Sequence, residues 1–455
     1  ALDRFNRQLQ QIQNQQLTET AQTESIGQRI LYDYGGYYNP AYLTLDDQNN
    51  NDHILRQQNL AIYGDLNLDG AQELYARGLF VRQDFGAGDA FTDRGNLEYE
   101  TLDQLYYRFD LQKALEAYDG KVISDDFVFQ GGRQLIDWGS GLVLNENLDG
   151  ARAGASIGPW DVTGLVGLTP VRTVDFDDTR PQFDTHTRRL FYGVMAAEQL
   201  GAIRPYVYFL RQEDHNPTEP SVTGDITTRF HYTSNYLGAG ATGNVGDKLS
   251  YTAELVYEGG RSLSNSFSTA GGVLSPVPQR LDSIWAYGAD IRADYNFADV
   301  QHSRIGSEVI ITSGDKDRLT TSGTFGGNLP GTHDTAFNAF GLLDNGLAFN
   351  PQLSNIMALR IGGATMPWAG SQPFDQLQVG DDVFVYGKTT NGAPIDEPTK
   401  SSGQYLGVED DVYMNWQIAS DVTLAARYGV FVPDSRAFFS TVARQFFYTG
   451  VTFSF

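Results

Sequence analysis

Gln445-Phe446-Phe447-Tyr448-Thr449-Gly450-Val451-Thr452-Phe453-Ser454-Phe455 ends the sequence, and its alternation sets the reading of everything before it. Phe447, Thr449, Val451, Phe453 and Phe455 fall on one side of an extended strand. Phe446, Tyr448, Gly450, Thr452 and Ser454 fall on the other. Successive side chains of a strand point to opposite faces, so this period of two describes a strand with one apolar side.

The same period recurs along the chain. It predicts strands near 28–46, 54–69, 71–84, 97–111, 122–134, 151–158, 160–170, 186–199 and 202–213. It continues near 226–243, 248–262, 282–298, 301–314, 354–368, 373–388, 404–418, 421–432 and 442–455, eighteen in all. Connections after the even strands are mostly tight, as at Gly70, Gly158-Pro159, Leu200-Gly201, 244–247, 299–300, 369–372 and Ala419-Ser420, with 112–121 the exception. Those after the odd strands are longer and rich in Gly, Pro or Asp: 85–96, 135–150, 171–185, 214–225, 263–281, 315–353 and 389–403. Short turns on one side and long loops on the other are the asymmetry of a transmembrane barrel.

The faces agree with that assignment. Trp285, Tyr287, Ala289, Ile291, Ala293, Tyr295 and Phe297 oppose Ala286, Gly288, Asp290, Arg292, Asp294 and Asn296. Closure satisfies the backbone, so lipid takes the apolar set and the polar set points into the lumen. Eighteen strands enclose enough room for water. The expected fold is therefore all-β: a transmembrane antiparallel up-and-down barrel over residues 26–455. Residues 1–25 form a polar extension in which Leu2, Phe5, Leu9 and Ile12 recur at helical spacing. Both a short amphipathic helix and a frayed extension fit it.

Composition sets outer bounds. Over 455 residues there are 25 Tyr and 27 Phe, no Cys, and a formal net charge of −24. The aromatic content suits two interfacial girdles. Mean hydropathy is −0.35, and no apolar run is long enough for a membrane helix. The acidic balance speaks against a nucleic-acid partner. An opening at Ala1 suits a mature form with its signal removed, the expected location being the bacterial outer membrane.

Face parity nominates a set of charged residues for the lumen and its solute pathway. The basic ones are Arg108, Arg152, Arg189, Arg204, Arg292, Arg304, Arg360, Arg427 and Arg444, and Arg133 joins them in the expected solute pathway. The acidic ones include Glu254, Asp290, Glu409 and Asp411, with Asp110, Glu258, Asp294, Glu308 and Asp382 on the same parity. Rings of charge set ion preference by their field, and Arg holds carboxylates bidentately. The competing role for any one of them is pairing across neighbouring strands, which stiffens the wall.

The terminal strand resembles the last strand of outer-membrane proteins, in which a final Phe belongs to the barrel-assembly signal. Three further stretches resemble the alginate-export family. One is Gly132-Arg133-Gln134 with Asn147, Gly150 and Trp160-Asp161-Val162. The second runs from Phe337 to Phe340, then Leu353-Ser354-Asn355-Ile356 and Met366-Pro367-Trp368. The third is Gly407-Val408-Glu409-Asp410-Asp411-Val412, with Asp421-Val422-Thr423-Leu424 and Tyr428-Gly429-Val430-Phe431-Val432-Pro433. The resemblance implies an eighteen-stranded barrel and passage of an anionic polysaccharide past an Arg-lined constriction.

There is no phosphate-binding loop and no His-Glu-x-x-His spacing among the six His. No enzyme activity, cofactor or metal site is expected. Three roles stand open. The first is a porin-like channel for passive passage of hydrophilic, including anionic, solutes or saccharides. The second is an export channel for an anionic polysaccharide. The third is a structural barrel scaffolding a partner protein. Expected partners are outer-membrane lipid, the solute, and a periplasmic or self-association partner through residues 1–25. Loop 315–353 separates the first two roles: folded inward it constricts, folded outward it makes a lid or contact surface.

Overall fold

A computed structural model describes residues 30–49, 51–86, 89, 97–269, 272–400 and 403–455. The extension at 1–25 lies outside the described residues. Eighteen antiparallel strands form one sheet that closes on itself. In chain order they are β1 (Ile30–Asp46), β2 (Asp52–Leu68), β3 (Gln72–Phe85), β4 (Leu97–Asp110), β5 (Asp126–Trp138) and β6 (Leu144–Ile157). Next come β7 (Trp160–Leu168), β8 (Arg189–Glu198), β9 (Ile203–Asp214), β10 (Tyr232–Val245), β11 (Leu249–Leu263) and β12 (Leu281–Asn296). The last six are β13 (Arg304–Thr312), β14 (Ile356–Thr365), β15 (Leu377–Lys388), β16 (Tyr405–Ala419), β17 (Val422–Pro433) and β18 (Arg444–Ser454).

Each strand pairs with its neighbour in sequence, and β1 pairs with β18 from Tyr37↔Ser454 to Leu45↔Phe446. Two backbone bonds seal the seam: Gly36 N–H donates to the Phe455 carbonyl at 2.9 Å, and Phe455 N–H to the Gly36 carbonyl at 3.0 Å. The terminal strand thus closes the barrel, so no edge is left in the hydrocarbon.

Inside and outside differ as the alternation requires. Outward-pointing Leu255 is 63% exposed and Trp285 56%, whereas inward-pointing Glu254 is 1% exposed and Asp290 0%. Tight turns join the even strands to the next; at Asp69-Gly70 both residues take positive φ, 56° and 73°, the conformation of a two-residue hairpin turn. The long connection after β4 holds a helix, α1 (Leu111–Asp119), capped by the Asp110 carboxylate accepting from Lys113 N–H at 3.0 Å.

The structure corrects several expected boundaries. The expected loop 135–150 is mostly strand: β5 continues to Trp138 and β6 begins at Leu144. Its Asn and Asp residues imitate a loop because they sit on strands that leave the wall, as described below. The expected strand 226–243 starts instead at Tyr232, and 226–228 pairs with 221–223 in a separate small hairpin. Between β14 and β15 the turn widens to 366–376.

Candidate functional site: a lumen constricted by its own loops

The β5–β6 hairpin departs from the barrel. β4 pairs with β5 only from Leu105↔Arg133 to Asp110↔Val128, and β6 with β7 only from Asp149↔Leu168 to Ile157↔Trp160. Residues 134–138 and 144–148 pair with each other and with neither neighbouring wall strand, and Leu144 forms in addition a single parallel bridge with Phe340. The departure falls on a row of glycines across adjacent strands, Gly132↔Gly150↔Gly167. A Cβ at Gly150 would lie 2.0 Å from the Val166 carbonyl oxygen, and one at Gly132 2.1 Å from that of Leu105. Arg133 clamps the same place, donating to both Asp149 carboxylate oxygens at 2.6 and 2.7 Å and to the Leu102 carbonyl at 2.9 Å.

The hairpin crosses the lumen. Ser140 N–H donates to the Glu254 carboxylate on β11 at 2.7 Å, where Tyr206 and Tyr208 hydroxyls also donate at 2.6 and 2.8 Å. Asp290 lies opposite Glu254 on β12, fully buried beneath the tip.

Residues 313–355, joining β13 to β14, fold inward as well and meet that tip. Phe340 N–H donates to Val143 carbonyl at 3.0 Å, Asn145 N–H to Phe340 carbonyl at 2.9 Å, and Leu342 N–H to Gly141 carbonyl at 3.0 Å. Phe337, Phe340 and Phe349 are buried among Leu142, Phe191, Tyr236, Tyr386 and Phe431. The apolar cluster thus lies inside the barrel, where loop residues such as Phe337, Phe340 and Phe349 pack on inward strand residues such as Phe191, Tyr236, Tyr386 and Phe431.

Wall carboxylates pin this loop by its backbone. Glu409 on β16 accepts from Leu347 N–H at 2.6 Å, from Phe349 N–H at 3.0 Å and from Ala348 N–H. Asp411 accepts from Leu347 N–H at 3.0 Å. Glu258 on β11 accepts from Asn338 N–H at 2.9 Å, beside the Tyr232 and Ser234 hydroxyls at 2.7 and 2.6 Å. A loop inside the barrel has no ladder of its own, so its amides need such acceptors.

Three of the nominated arginines serve the same end. Arg189 is fully buried and donates to Asp175 in loop 169–188 at 2.9 and 2.7 Å. Arg360 bridges Glu308 on β13 at 2.7 Å and loop Asp344 at 3.2 Å. Arg444 holds Glu397 in loop 389–404 at 2.7 Å and lies over Phe431 and Phe438. Loop 169–188 in turn grips loop 313–355: the Thr324 hydroxyl donates to Asp177 at 2.6 Å. Burial pushes the Asp177 carboxyl above its usual range despite the Thr179 and Thr324 donors, and burial also raises Asp315.

The remaining arginines lie toward the short-turn end. Arg108 is 3.8 Å from Glu73, Arg204 3.1 Å from Asp161 and Arg292 3.9 Å from Asp294. Arg304 donates to the Tyr413 hydroxyl at 3.5 Å, and Arg427 to Asn415 at 3.3 Å. Arg152 stands in register with Gln130, which is in register with Arg108, so two guanidinium groups flank one amide on the inner wall. Sequence parity nominated these residues for the lumen. It missed Arg180 and Arg318, which pair with Asp214 and Asp334 at 2.7 and 2.6 Å, because both sit in loops that carry no parity signal.

A closed eighteen-stranded barrel with an apolar exterior, a charged interior and in-folded loops defines an outer-membrane channel protein. The chain belongs to the alginate-export family, whose model matches residues 48–435. Its fold is similar to that of Pseudomonas aeruginosa OccK11 (OpdR), at 11% identity over 95% of this chain and 99% of that one, with a TM-score of 0.56. It is similar also to P. aeruginosa OpdK, solved with vanillate, at 10% identity over 93% and 98% of the two chains, TM-score 0.55. Acinetobacter baumannii OccAB2 matches at 11% identity over 93% and 98%, TM-score 0.51. No curated protein matches the chain significantly. At such identities the structural likeness speaks for the fold.

Proposed function

We propose that the protein is a passive channel whose in-folded loops admit small hydrophilic solutes, with a preference for anions. The observation that carries this reading is the pair Arg108 and Arg152 on the inner wall, the second having no ion-pair partner among the described residues. A guanidinium on the inner wall without a carboxylate attracts anions, because the low-dielectric walls of a lumen concentrate its field. The vanillate of the OpdK structure is a small carboxylate of the class such a wall would favour. The reading involves no catalytic step and no cofactor. Outward passage of an anionic polysaccharide is the second reading, favoured by family membership; it requires the hairpin 134–148 and loop 313–355 to swing aside.

The test is conductance in planar bilayers with the anion-to-cation permeability ratio measured under a salt gradient. A ratio above unity that inverts or falls several-fold in Arg152→Glu supports the reading. A ratio indifferent to that change refutes the role given to this pair.

A further inference from the structure

On the long-loop side of the constriction a cavity of about 570 Å³ opens between loops 169–188, 313–355 and 389–404. Its size suits a small organic ligand. Lys388 lines it. The residue ends β15 with its side chain inward, is 1% exposed, and donates from Nζ to the Thr399 hydroxyl at 2.6 Å. No carboxylate pairs with it among the described residues. An ammonium carries three protons, so two remain to be satisfied in a place where desolvation makes that costly. The buried Ser354 hydroxyl, lining the same cavity, makes no hydrogen bond among the described residues.

Asp178 and Asp396 line the cavity too, and their charges act on one another, whereas Asp175, Glu397 and Arg318 on the same wall are already paired with Arg189, Arg444 and Asp334. Phe176, Phe183 and Phe337 supply an apolar surface. A simple anion would meet Lys388 but also the two carboxylates. A simple cation would meet the carboxylates but leave the ammonium unanswered. A molecule carrying both charges answers both.

We propose that this cavity binds zwitterionic amino acids or short peptides with apolar side chains, the ligand's carboxylate on Lys388 and its ammonium on Asp178 and Asp396. The site rests on the channel reading, as the place where solutes are sorted before the constriction.

The test uses the full chain in detergent micelles, titrated calorimetrically with leucine, isocaproate (no ammonium) and isoamylamine (no carboxylate), with conductance measured in parallel. One charge-assisted hydrogen bond corresponds to roughly 10- to 100-fold in affinity. Leucine should therefore bind at least about 10-fold more tightly than either analogue. Lys388→Gln should abolish that advantage, and Asp178→Asn, at an exposed loop position, should shift preference toward isocaproate. Isocaproate binding as well as leucine, or affinities unchanged in Asp178→Asn, would overturn the proposal; the second variant decides even where Lys388→Gln fails to fold. Absent leucine binding with anion-selective conductance intact refutes the site alone. A folded barrel without conductance refutes the channel reading beneath it.

Discussion

Replacing Glu409 by Gln should loosen the constriction. The carboxylate collects N–H groups from Leu347, Ala348 and Phe349, with the Tyr386 hydroxyl donating at 3.2 Å. A glutamine offers one acceptor oxygen and turns an NH₂ group toward the remaining donors, so at least one buried N–H loses its partner. Hydrogen bonds to a charged acceptor contribute about 1.5–3 kcal/mol each. Removing one charge also relieves repulsion with Asp411 nearby, which offsets part of the loss. A net cost of about 1–2 kcal/mol to the pinned state shifts the open-to-closed ratio roughly 5- to 30-fold. The loop should not leave altogether, because Phe349 stacks on Phe431 at 4.3 Å and meets Tyr386 edge-on at 5.0 Å. Adding Phe349→Ala, itself about 3–5 kcal/mol at a buried site, should expel it. Single-channel recording reads the effect as higher open probability and gating noise in Glu409→Gln, and as larger conductance in the double variant. Asp410→Asn is the control, since that side chain points out of the barrel. Unchanged gating in a Glu409→Gln barrel that runs folded on gels would refute the pinning argument.

Gly150→Ala should straighten the β5–β6 departure or destabilise the barrel by about 1–3 kcal/mol, because its Cβ would sit 2.0 Å from the Val166 carbonyl oxygen; thermal unfolding checks this, and an unshifted transition with unaltered conductance would count against the glycine row. Asp177 and Asp315 have carboxyls raised above the ordinary value by burial, so the stability they lend is complete below that value and is lost as pH rises through the raised one. Proteolysis of loop 313–355 should therefore slow as pH falls from neutral toward the ordinary carboxylate range, and faster cleavage there would reverse the sign. Deleting Phe455 removes both backbone bonds to Gly36, about 1–3 kcal/mol of the seam; the heat-modifiable gel shift should come at lower temperature, and an unchanged midpoint would show that the seam is held by the ladder above it.

The barrel was legible because lipid imposes a single rule on every strand, apolar outward, and that rule is written at period two. Parity therefore placed Glu254, Asp290, Arg292 and Glu409 on the inner face without any knowledge of the fold. Their partners were not legible. Glu409 meets Leu347 to Phe349, and Arg444 meets Glu397, across loop conformations that no periodicity encodes. The misread stretch 135–150 shows why. Once the hairpin leaves the wall, its strands no longer face lipid on one side, so Asn145 and Asn147 stand where an outward wall position would carry an apolar residue. Lys388 was within reach: it continues the inward parity of Phe384 and Tyr386, and only its place at a strand end concealed it.

The excess of acidic residues follows from this architecture. A loop folded into a barrel brings unpaired amides into an interior where water is scarce, and each must find an acceptor. A carboxylate serves several amides at once, as Glu409 does for three, and Glu254 and Glu258 each serve one amide and two hydroxyls. Hydroxyl or amide side chains on the wall could accept fewer. Such pins hold through short bonds between buried groups, and their release leaves undisturbed the β ladders, whose bonds lie in the wall. The apolar cluster of Phe337, Phe340, Phe349 and Phe431 supplies bulk, and the carboxylates supply position. A channel built this way can alter its aperture by releasing a few bonds while its barrel stays closed.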